Sequence, residues 1–551
     1  MRDNDRLHGA GSAAKHGTNL ARRFYQQALT APNRTALVID GERWSYGDLR
    51  AAALRLSDLA MRSIGRSPDA EPEPTPPLMA ALGSRQAAQY LASLAAPMGG
   101  WIYMPLFAGD PISRIVQVLD RERPPVLVVD PLGAALLPDI LPRLDFALQV
   151  IGPDSDDLAI PMPHRFHGKR ALGDMQARDT EPAPSSASTV AYLLFTSGST
   201  GVPKGVPITH GNLMTFVESA ALRLAPTAED RFGQISNLSW DVSILESHVA
   251  WAMGASVHRL PDQLIRIPAY IRAQRLTHWF STPSVAVMLQ DLHTLQPSAL
   301  ASLKCSVFAG EALPASLVRQ WHEAAPDSLI ENFYGPTEAS VAIACHRWHP
   351  STGDAEFIPF GEPFPGQTLI ACDEHGEPVT DGTIGELYLS GSQVAVGYWN
   401  NPEESARRFL RAPDGRLWYR TGDQAVHTAC GWRFVGRVDD QLKVQGYRVE
   451  RLEIEAMLRE AAGTQNAVIV MLPLNDQSSI LTIHGVVANA SLDSIAILRR
   501  CRESMPAHMV PTAIHLRDIP RTSSGKADYG RLRTLLLDTS LAPDTAQGAV
   551  Q

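Results

Sequence analysis

The sequence predicts an α/β protein with a large multi-layered N-terminal domain and a small α+β domain towards its C-terminus. Apolar runs of strand length, such as residues 124–130 (PPVLVVD), alternate with stretches of helical periodicity, and this alternation is typical of layered α/β architecture. After Asp439 the pattern becomes compact: we expect a helix from about Leu452, strands at 467–472 and 481–488, and a helix through 495–501. The 551 residues, 44% of them hydrophobic, are enough for more than one core.

The expected domain boundaries follow from changes in composition. Residues 1–20 begin with a polar segment without an apolar signal core, so we expect a disordered lead. A core domain is expected over 21–438 and a C-terminal domain over 439–535. Residues 536–551 are expected to form a frayed tail.

Composition argues against several classes of function. No run of about 18 apolar residues occurs, so no membrane partner is expected. The net charge of −9 provides no overall basic surface for nucleic acid. The five cysteines are scattered in a pattern that fits neither a metal site nor a disulfide framework, and a reducing cytoplasm is the expected location.

The most informative stretch of the chain is LFTSGSTGVPKG, residues 194–205. Apolar residues at 192–195 predict a buried strand that runs directly into a loop of small residues closed by a lysine, namely Thr196, Ser197, Gly198, Ser199, Thr200, Gly201 and Lys204. Glycines allow close approach of the backbone to an anion, and N–H groups, hydroxyls and the lysine then supply a cradle for a polyphosphate. A flexible linker is the alternative, but the strand and the lysine argue against it. The spacing is not that of a Walker A loop.

This loop resembles the phosphate loop of the adenylate-forming superfamily, which contains acyl-CoA synthetases, luciferases and the adenylation domains of nonribosomal peptide synthetases. Further motifs follow in the order of that family: YGPTE at 334–338, GELYLSG at 385–391, YRTGD at 419–423, GRVDDQLKVQGYRVERLEIE at 436–455 and PRTSSGK at 520–526. The resemblance covers roughly residues 20–535. It implies a mobile C-terminal domain, with the active site between the two domains.

The resemblance implies a nucleotide site for ATP with Mg²⁺. Tyr334 is expected to stack on adenine, Thr337 to bind the α-phosphate, Glu338 to hold the Mg²⁺, and Asp423 with Arg437 to bind the ribose. The remaining expected ATP-binding residues are Gly310, Asn332 and Gly335. In isolation, Glu338 would be read as a first-turn carboxylate after a proline and Asp423 as a turn aspartate.

A lysine near the C-terminus and an aspartate at the expected domain boundary complete the assignment. Lys526 corresponds to the lysine that bridges the substrate carboxylate and the α-phosphate, and with Thr196, Lys204 and Glu338 it forms the expected catalytic set. The usual Pro-Asn-Gly-Lys of the family reads Ser-Ser-Gly-Lys here, which keeps the lysine. Asp439 corresponds to the hinge.

Substrate class is indicated by SWDVSILE at 239–246. Peptide-synthetase adenylation domains have an aspartate after an aromatic residue here, which pairs with the substrate ammonium, and this chain offers Trp240 and Asp241. A helix N-cap is the alternative for that aspartate. The other expected pocket residues are all apolar: Val242, Leu245, Phe280, Val307, Ala309, Phe333, Val341 and Ala342. Such a pocket predicts a small or medium aliphatic amino acid.

The expected reaction converts an amino acid and ATP into aminoacyl-AMP and pyrophosphate. Because 25 residues follow Lys526, we expect a free-standing enzyme that passes the aminoacyl group to the phosphopantetheine of a separate carrier protein. Three alternatives remain open at this point: an acyl- or aryl-CoA synthetase, a D-alanine–carrier protein ligase, and a non-catalytic nucleotide-binding relative.

Overall fold

The computed structural model describes residues 18–68, 75–156, 158–176, 178, 180–197, 203–350, 356–439, 441–444, 446–474, 481–489, 491–522 and 527–539. The chain divides into two compact units, the first comprising Met1–Thr196 with Pro203–Asp439 and the second comprising Ser197–Val202 with Asp440–Gln551. Within the described ranges, every helix is too short or too polar to traverse a lipid bilayer.

The helices are α1 Arg22–Thr30, α2 Tyr46–Ser63, α3 Ala87–Gly99, α4 Ile112–Glu122, α5 Pro131–Ile140, α6 Lys169–Gly173, α7 His210–Leu224, α8 Ala250–Ala252, α9 Ile267–Gln274, α10 Pro283–Asp291, α11 Ala315–Ala324, α12 Pro402–Arg408, α13 Arg451–Ala462, α14 Ser494–Ser504 and α15 Tyr529–Thr539. A π-helix spans Leu245–Val249, and short 3₁₀ turns span Leu141–Arg143, Leu264–Arg266, Thr337–Ala339 and Ala507–Met509.

The strands are β1 Thr35–Ile39, β2 Glu42–Ser45, β3 Leu78–Gly83, β4 Ile102–Phe107, β5 Val126–Val129, β6 Gln149–Ile151, β7 Arg165–His167, β8 Val190–Thr196, β9 Lys204–Thr209, β10 Arg231–Gln234, β11 Ser256–Arg259, β12 His278–Ser281, β13 Cys305–Ala309, β14 Leu313–Pro314, β15 Leu329–Tyr334, β16 Ala344–Arg347, β17 Phe357–Ile358, β18 Glu362–Pro363, β19 Gln367–Cys372, β20 Gly385–Gly391, β21 Phe409–Arg411, β22 Leu417–Thr428, β23 Gly431–Arg437, β24 Gln441–Val444, β25 Tyr447–Glu450, β26 Ala467–Pro473, β27 Leu481–Val487 and β28 Ala513–Leu516.

Large sheets build the first unit. One has the order β7-β6-β5-β3-β4-β8-β9 and is parallel apart from the β8–β9 hairpin. Another has the order β18-β16-β15-β13-β12-β10-β11-β1-β2 and is parallel from β15 through β1. A third, antiparallel sheet contains β19 to β23. The central strands β3 and β5 are buried along their whole length, as expected for parallel sheets covered on both faces.

Helix α7 begins directly after the β8–β9 hairpin, and its start is fixed by local sequence. The Thr209 hydroxyl accepts the N–H of Asn212, while the Asn212 side chain accepts the N–H of Thr209, which forms a reciprocal capping box. This cap anchors the end of β9 to the helix and so holds the hairpin that carries Lys204.

The second unit is a small α+β fold. Strands β26, β27 and β28 form a sheet in that order, antiparallel and then parallel. Apolar residues of α13 and α14 pack in one cluster with this sheet, and residues of α15 pack with it in a second cluster. The four elements expected after Asp439 appear as α13, β26, β27 and α14, so the predicted α/β class with a small α+β C-terminal part is confirmed.

Two predicted boundaries differ from the structure. The lead was expected to reach residue 20, but Asn19 and Leu20 are buried. The Asn19 amide donates to the carbonyl oxygen of Pro97 (2.8 Å), and the Leu20 N–H donates to His210 (3.1 Å). The tail was expected from residue 536, but α15 continues to Thr539 and buries Leu536. In both places apolar side chains complete a core, which composition alone does not reveal.

Candidate active site

The predicted phosphate loop is a hairpin whose strands are β8 and β9. Thr196 and Lys204 are opposite one another in its antiparallel register. Gly198, Ser199, Thr200 and Gly201 lie outside the described residues, and Ser197 is grouped with the second unit. The structure therefore defines the base of the predicted loop through Thr196 and Lys204.

Neighbouring elements brace the base of this hairpin. The Arg121 guanidinium, at the end of α4, donates to the carbonyl oxygen of Pro203 (2.8 Å) and lies 5.3 Å from the ring centre of Phe195. The N–H of Trp399 donates to the carbonyl oxygen of Gly205 (2.8 Å), and its indole N–H donates to Glu122 (2.9 Å). Both strands of the hairpin thus contact residues outside it, at the end of α4 and at Trp399.

The Lys204 ammonium has two partners that sequence reasoning missed. Its Nζ lies 2.9 Å from Glu404 Oε1 and 5.6 Å from the ring centre of Tyr398. The side chains of Lys204 and Glu404 are only 10% and 13% exposed. The predicted phosphate lysine is therefore held by a carboxylate on one side and by an aromatic face on the other.

Glu338 lies in the 3₁₀ turn that follows β15. Its side chain is almost fully buried, and it accepts a hydrogen bond from the Tyr398 hydroxyl (2.7 Å). The same tyrosine faces Lys204, so Tyr398 links the predicted metal ligand to the predicted phosphate lysine. Neither an ordinary first-turn carboxylate nor a solvated one would be buried in this way.

Charged and phenolic groups surround Asp423 on β22. The Tyr334 hydroxyl donates to Asp423 Oδ2 (2.6 Å), and the Arg437 guanidinium donates to Oδ1. Arg437 also donates to Asp439, through Nε to Oδ1 (2.7 Å) and Nη2 to Oδ2 (2.9 Å). Burial favours the neutral form of Asp439, but hydrogen bonds and charge from Arg437 and then Arg408 outweigh it and lower the pKa of that carboxyl.

The other predicted nucleotide residues lie on the same strands. The Tyr334 ring stacks on Phe360, with centroids 4.2 Å apart. The Asn332 amide donates to the carbonyl oxygens of Ile358 (3.1 Å) and Pro359 (2.9 Å), so it satisfies backbone hydrogen-bond acceptors of that segment. Gly310 follows β13 with a φ of +88°. At Gly335, a Cβ would approach Ala342 Cα to 2.5 Å, so only glycine fits.

Sheet register brings the predicted apolar pocket residues together. Phe280 on β12 pairs with Val307 on β13, and Ala309 on β13 pairs with Phe333 on β15. These residues belong to one buried cluster, which also contains or contacts the rest of the predicted set, namely Leu245, Val341, Ala342 and Val242. The Phe333 ring packs edge-on against Phe364, with centroids 5.4 Å apart.

Asp241 is the charged member of the predicted pocket, and it lies partly buried beside the Glu338 turn. Burial raises the pKa of its carboxyl to about 6, and the charge of Glu338 adds to the rise. Hydrogen bonds from the Thr337 hydroxyl and the N–H of Val242 oppose it. Thr337, which was predicted to bind phosphate, thus donates to Asp241 in this structure and connects the two predicted sites.

The turn that carries Val341 is strained. Ser340 and Val341 have φ values of +57° and +73°, a region that is unfavourable for a β-branched residue. The buried Gln393 holds this turn, because its side-chain amide donates to the carbonyl oxygen of Ala342 (2.5 Å) and its backbone carbonyl oxygen accepts the Ser340 hydroxyl (2.7 Å). Sequence reasoning missed Gln393, which has no motif that marks it as a clamp.

Glu338 fits the expected magnesium ion, although no cluster of three or more potential ligands occurs among the described residues. Mg²⁺ is commonly held by one or two carboxylates together with substrate phosphates and water. A single buried carboxylate beside the base of the phosphate hairpin agrees with that donor set. Lys526 lies outside the described residues, and Asp439 is the last residue of the first unit.

Comparison with known proteins identifies the family. The profile of the family described as "AMP-binding enzyme" matches residues 24–399. This chain belongs to the AMP-binding enzyme family. The membership confirms the resemblance seen in the motifs and makes the protein an adenylate-forming enzyme that uses ATP.

Individual relatives of this AMP-binding enzyme agree with that assignment. It is 32% identical to novobiocin biosynthesis protein H of Streptomyces niveus, covering 93% of this chain and 82% of that protein. It is 31% identical to malpinin synthetase of Mortierella alpina over 92% of this chain, but it spans only 6% of that protein. The structure of the Vibrio cholerae adenylation domain AlmE, in complex with glycyl-adenosine-5'-phosphate, is 26% identical with a TM-score of 0.83, covering 96% of this chain and all of that one.

Proposed function

We propose that this protein uses ATP to activate a small or medium aliphatic neutral amino acid as aminoacyl-AMP, releasing pyrophosphate. It then transfers the aminoacyl group to the phosphopantetheine thiol of a carrier protein, which forms a thioester and releases AMP. The observation that carries the proposal is the partly buried carboxylate of Asp241, which lies beside an apolar cluster and accepts a hydrogen bond from Thr337, next to Glu338. A carboxylate in such surroundings needs a cation, and an amino-acid ammonium supplies one.

In this proposal, residues of the phosphate hairpin and of β15, β22 and β23 bind the nucleotide. Thr196 and Lys204 hold the base of the phosphate hairpin, where the lysine neutralises phosphate charge. Tyr334 positions Asp423, whose carboxylate accepts the two ribose hydroxyls, and Arg437 fixes the same carboxylate from the other side. Glu338 would hold Mg²⁺, which when bound neutralises phosphate oxygens.

The reacting carboxylate of the amino acid is aligned through its ammonium. Asp241 holds the ammonium while the Thr337 hydroxyl keeps Asp241 in place, so the substrate carboxylate is directed towards the α-phosphorus. Lys526 then contacts both the substrate carboxylate and the α-phosphate and stabilises the charge that develops between them. An oxygen of the substrate carboxylate attacks the α-phosphorus, and the bond between that phosphorus and the oxygen bridging to the β-phosphorus breaks. Pyrophosphate leaves with the electron pair of that bond, and aminoacyl-AMP is formed.

The apolar residues of the pocket limit the side chain that fits. Phe280 and Phe333 are bulky and buried, and Phe364 backs Phe333. A charged substrate side chain would lose hydration without compensation, whereas neighbours that differ by one methylene are separated only weakly. The AlmE relative, whose structure contains glycyl-adenosine-5'-phosphate, supports a small amino acid as substrate.

Amino-acid-dependent ATP–pyrophosphate exchange, measured across neutral L- and D-amino acids and their des-amino analogues, tests this proposal. We expect strong exchange with an aliphatic amino acid and none with its des-amino analogue. Exchange with simple carboxylic acids alone would instead support an acyl- or aryl-CoA synthetase. Preference for D-alanine would support a D-alanine–carrier protein ligase, and ATP binding without exchange would support a non-catalytic relative.

A carrier thiol as acceptor is tested separately. The purified aminoacyl-AMP complex is offered a phosphopantetheinylated carrier protein or free coenzyme A, and the thioester is detected by mass. Loading of the carrier at low concentration supports the proposal. Equal loading of free coenzyme A would contradict the proposal that a carrier protein is the acceptor and would favour a coenzyme A ligase.

A further inference from the structure

Glu404 forms an ion pair with the ammonium group of Lys204, which the proposed function assigns to phosphate binding. It lies on α12, and its Oε1 is 2.9 Å from Lys204 Nζ, with both side chains nearly buried. In this position a carboxylate lowers the positive potential of Lys204, because the two charges cancel within a few ångströms. Phosphate oxygens that approach Lys204 would therefore meet a neighbouring negative charge.

The carboxylate of Glu404 is held in place by its helix. Asn401 caps α12 by accepting the N–H of Glu404 (3.2 Å), and Pro402 occupies the first helical position. The Ser405 hydroxyl accepts the N–H of Tyr398 (2.8 Å), which ties the helix to the tyrosine that faces Lys204. Glu404 thus belongs to a preformed arrangement.

Glu404 also has cations of its own. Arg407 Nη1 lies 3.6 Å from its Oε2, and Arg408 Nε lies 3.7 Å from its Oε1. If Lys204 pairs with a phosphate instead, the Glu404 carboxylate still has Arg407 and Arg408 as partners and does not become an unpaired buried charge. The exchange of partners therefore costs little free energy, whereas breaking a buried ion pair without a replacement partner is strongly destabilising.

We propose that Glu404 is a displaceable counter-ion of Lys204 that weakens binding of the polyphosphate part of the nucleotide. In the nucleotide-free enzyme it holds the lysine ready and neutralised. In the complex, phosphate oxygens take its place on the ammonium and Glu404 pairs with Arg407 and Arg408. The enzyme consequently binds ATP and pyrophosphate less tightly than the same site without this carboxylate. The proposal rests on the proposed role of Lys204.

The test is direct binding, by calorimetry, of ATP, pyrophosphate and AMP to the full chain and to Glu404→Gln. We expect ATP and pyrophosphate to bind about three- to tenfold more tightly to Glu404→Gln, because the repelling charge is gone while the side-chain shape remains. AMP, which lacks the outer phosphates, should bind within about twofold of its wild-type affinity. Unchanged or weaker ATP binding by folded Glu404→Gln would overturn the proposal.

The chain offers a matched control on the same helix. Glu403 precedes Glu404 but is 78% exposed and pairs with Arg407 at the surface, so Glu403→Gln should leave all three affinities unchanged. A similar gain in Glu403→Gln would contradict the proposal, since it would show a general charge effect. Glu404→Asp keeps the charge at a shorter reach and should give an intermediate ATP affinity; a gain as large as that of Glu404→Gln would also contradict it.

Failure of the proposed function gives a different result. Lys204→Met removes the ammonium itself, and ATP affinity should fall. If Lys204→Met binds ATP normally, the lysine does not serve phosphate and the proposed nucleotide site is wrong. If Lys204→Met binds weakly but Glu404→Gln is unchanged, the site stands and only the counter-ion role fails.

Discussion

The two halves of the candidate site in the first unit differ in how their charges are balanced. On the nucleotide side, Lys204 is paired with Glu404, and Asp423 with Arg437 and Tyr334. On the amino-acid side, hydrogen bonds from a hydroxyl and from N–H groups stabilise the charged form of Asp241, while burial and the charge of Glu338 destabilise it. Within the described residues, Lys204 and Asp423 each have an oppositely charged partner, whereas the proposed function takes the cation for Asp241 from the substrate.

This difference indicates how each substrate is recognised. In the proposed function, phosphate replaces Glu404 on Lys204, while Asp423 keeps Tyr334 and Arg437 and also accepts the ribose hydroxyls. In the same proposal, an amino acid brings its ammonium to Asp241, so one carboxylate would carry much of the discrimination. Disturbing Asp241 should therefore have larger effects than disturbing a single partner of Asp423.

The largest effect is expected from Asp241→Ala. The substrate ammonium would enter a site without its counter-charge, so kcat/KM for the amino acid should fall by about 10²- to 10³-fold, as for breaking a buried ion pair. The KM for ATP should change little. The measurement is pyrophosphate exchange with the amino acid and with its des-amino analogue, between which the variant should hardly discriminate. Retained discrimination would place the ammonium elsewhere.

Acidification is expected to act on the same half. The pKa of Asp241 is raised to about 6, so the carboxylate is ionised at neutral pH and becomes protonated as the pH falls through that value. The KM for the amino acid should rise about tenfold between pH 7 and pH 5. Asp241→Asn should abolish this dependence. A flat wild-type KM over that range would show that the ionisation of Asp241 does not govern binding.

A smaller effect is expected on the nucleotide half from Tyr334→Phe. The variant removes the hydroxyl that donates to Asp423 (2.6 Å) but leaves Arg437 in place. The KM for ATP should rise about fivefold, in the range of one hydrogen bond to a charged group with a remaining partner. The KM for the amino acid should stay constant and serves as the internal control. An amino-acid effect larger than the ATP effect would contradict the separation of the two halves.

Features that depend on short stretches of the chain could be predicted from the sequence. The apolar run at 124–130 contains β5, the run at 192–195 lies in β8, and the elements after Asp439 appear in the expected order. The motif residues Tyr334 and Asp423 lie together, as a common site requires. Hydrophobic periodicity and motif spacing report on strands and on the turns at their ends, and these determine the fold class.

Contacts between residues far apart in the chain could not be predicted from the sequence. Lys204 and Glu404 are 200 residues apart, and Gln393 reaches Ala342 across 51 residues. No periodicity connects such pairs, and Glu404 in a charged helix reads like Glu403, which is exposed. The roles of Tyr398, Gln393 and Glu404 depend on which side chains the tertiary fold brings opposite them.

The left-handed backbone at Val341 affects how this pocket can be redesigned. Most substitutions that reshape a binding pocket reduce stability, because they open cavities or add bulk. At residue 341 the native side chain is itself disfavoured by its φ of +73°, and glycine would remove a backbone cost of about 1–3 kcal/mol. If Val341 lines the substrate pocket as proposed, enlarging the pocket there with glycine would recover part of the usual loss of stability. Residue 341 is then a suitable first position for altering substrate range.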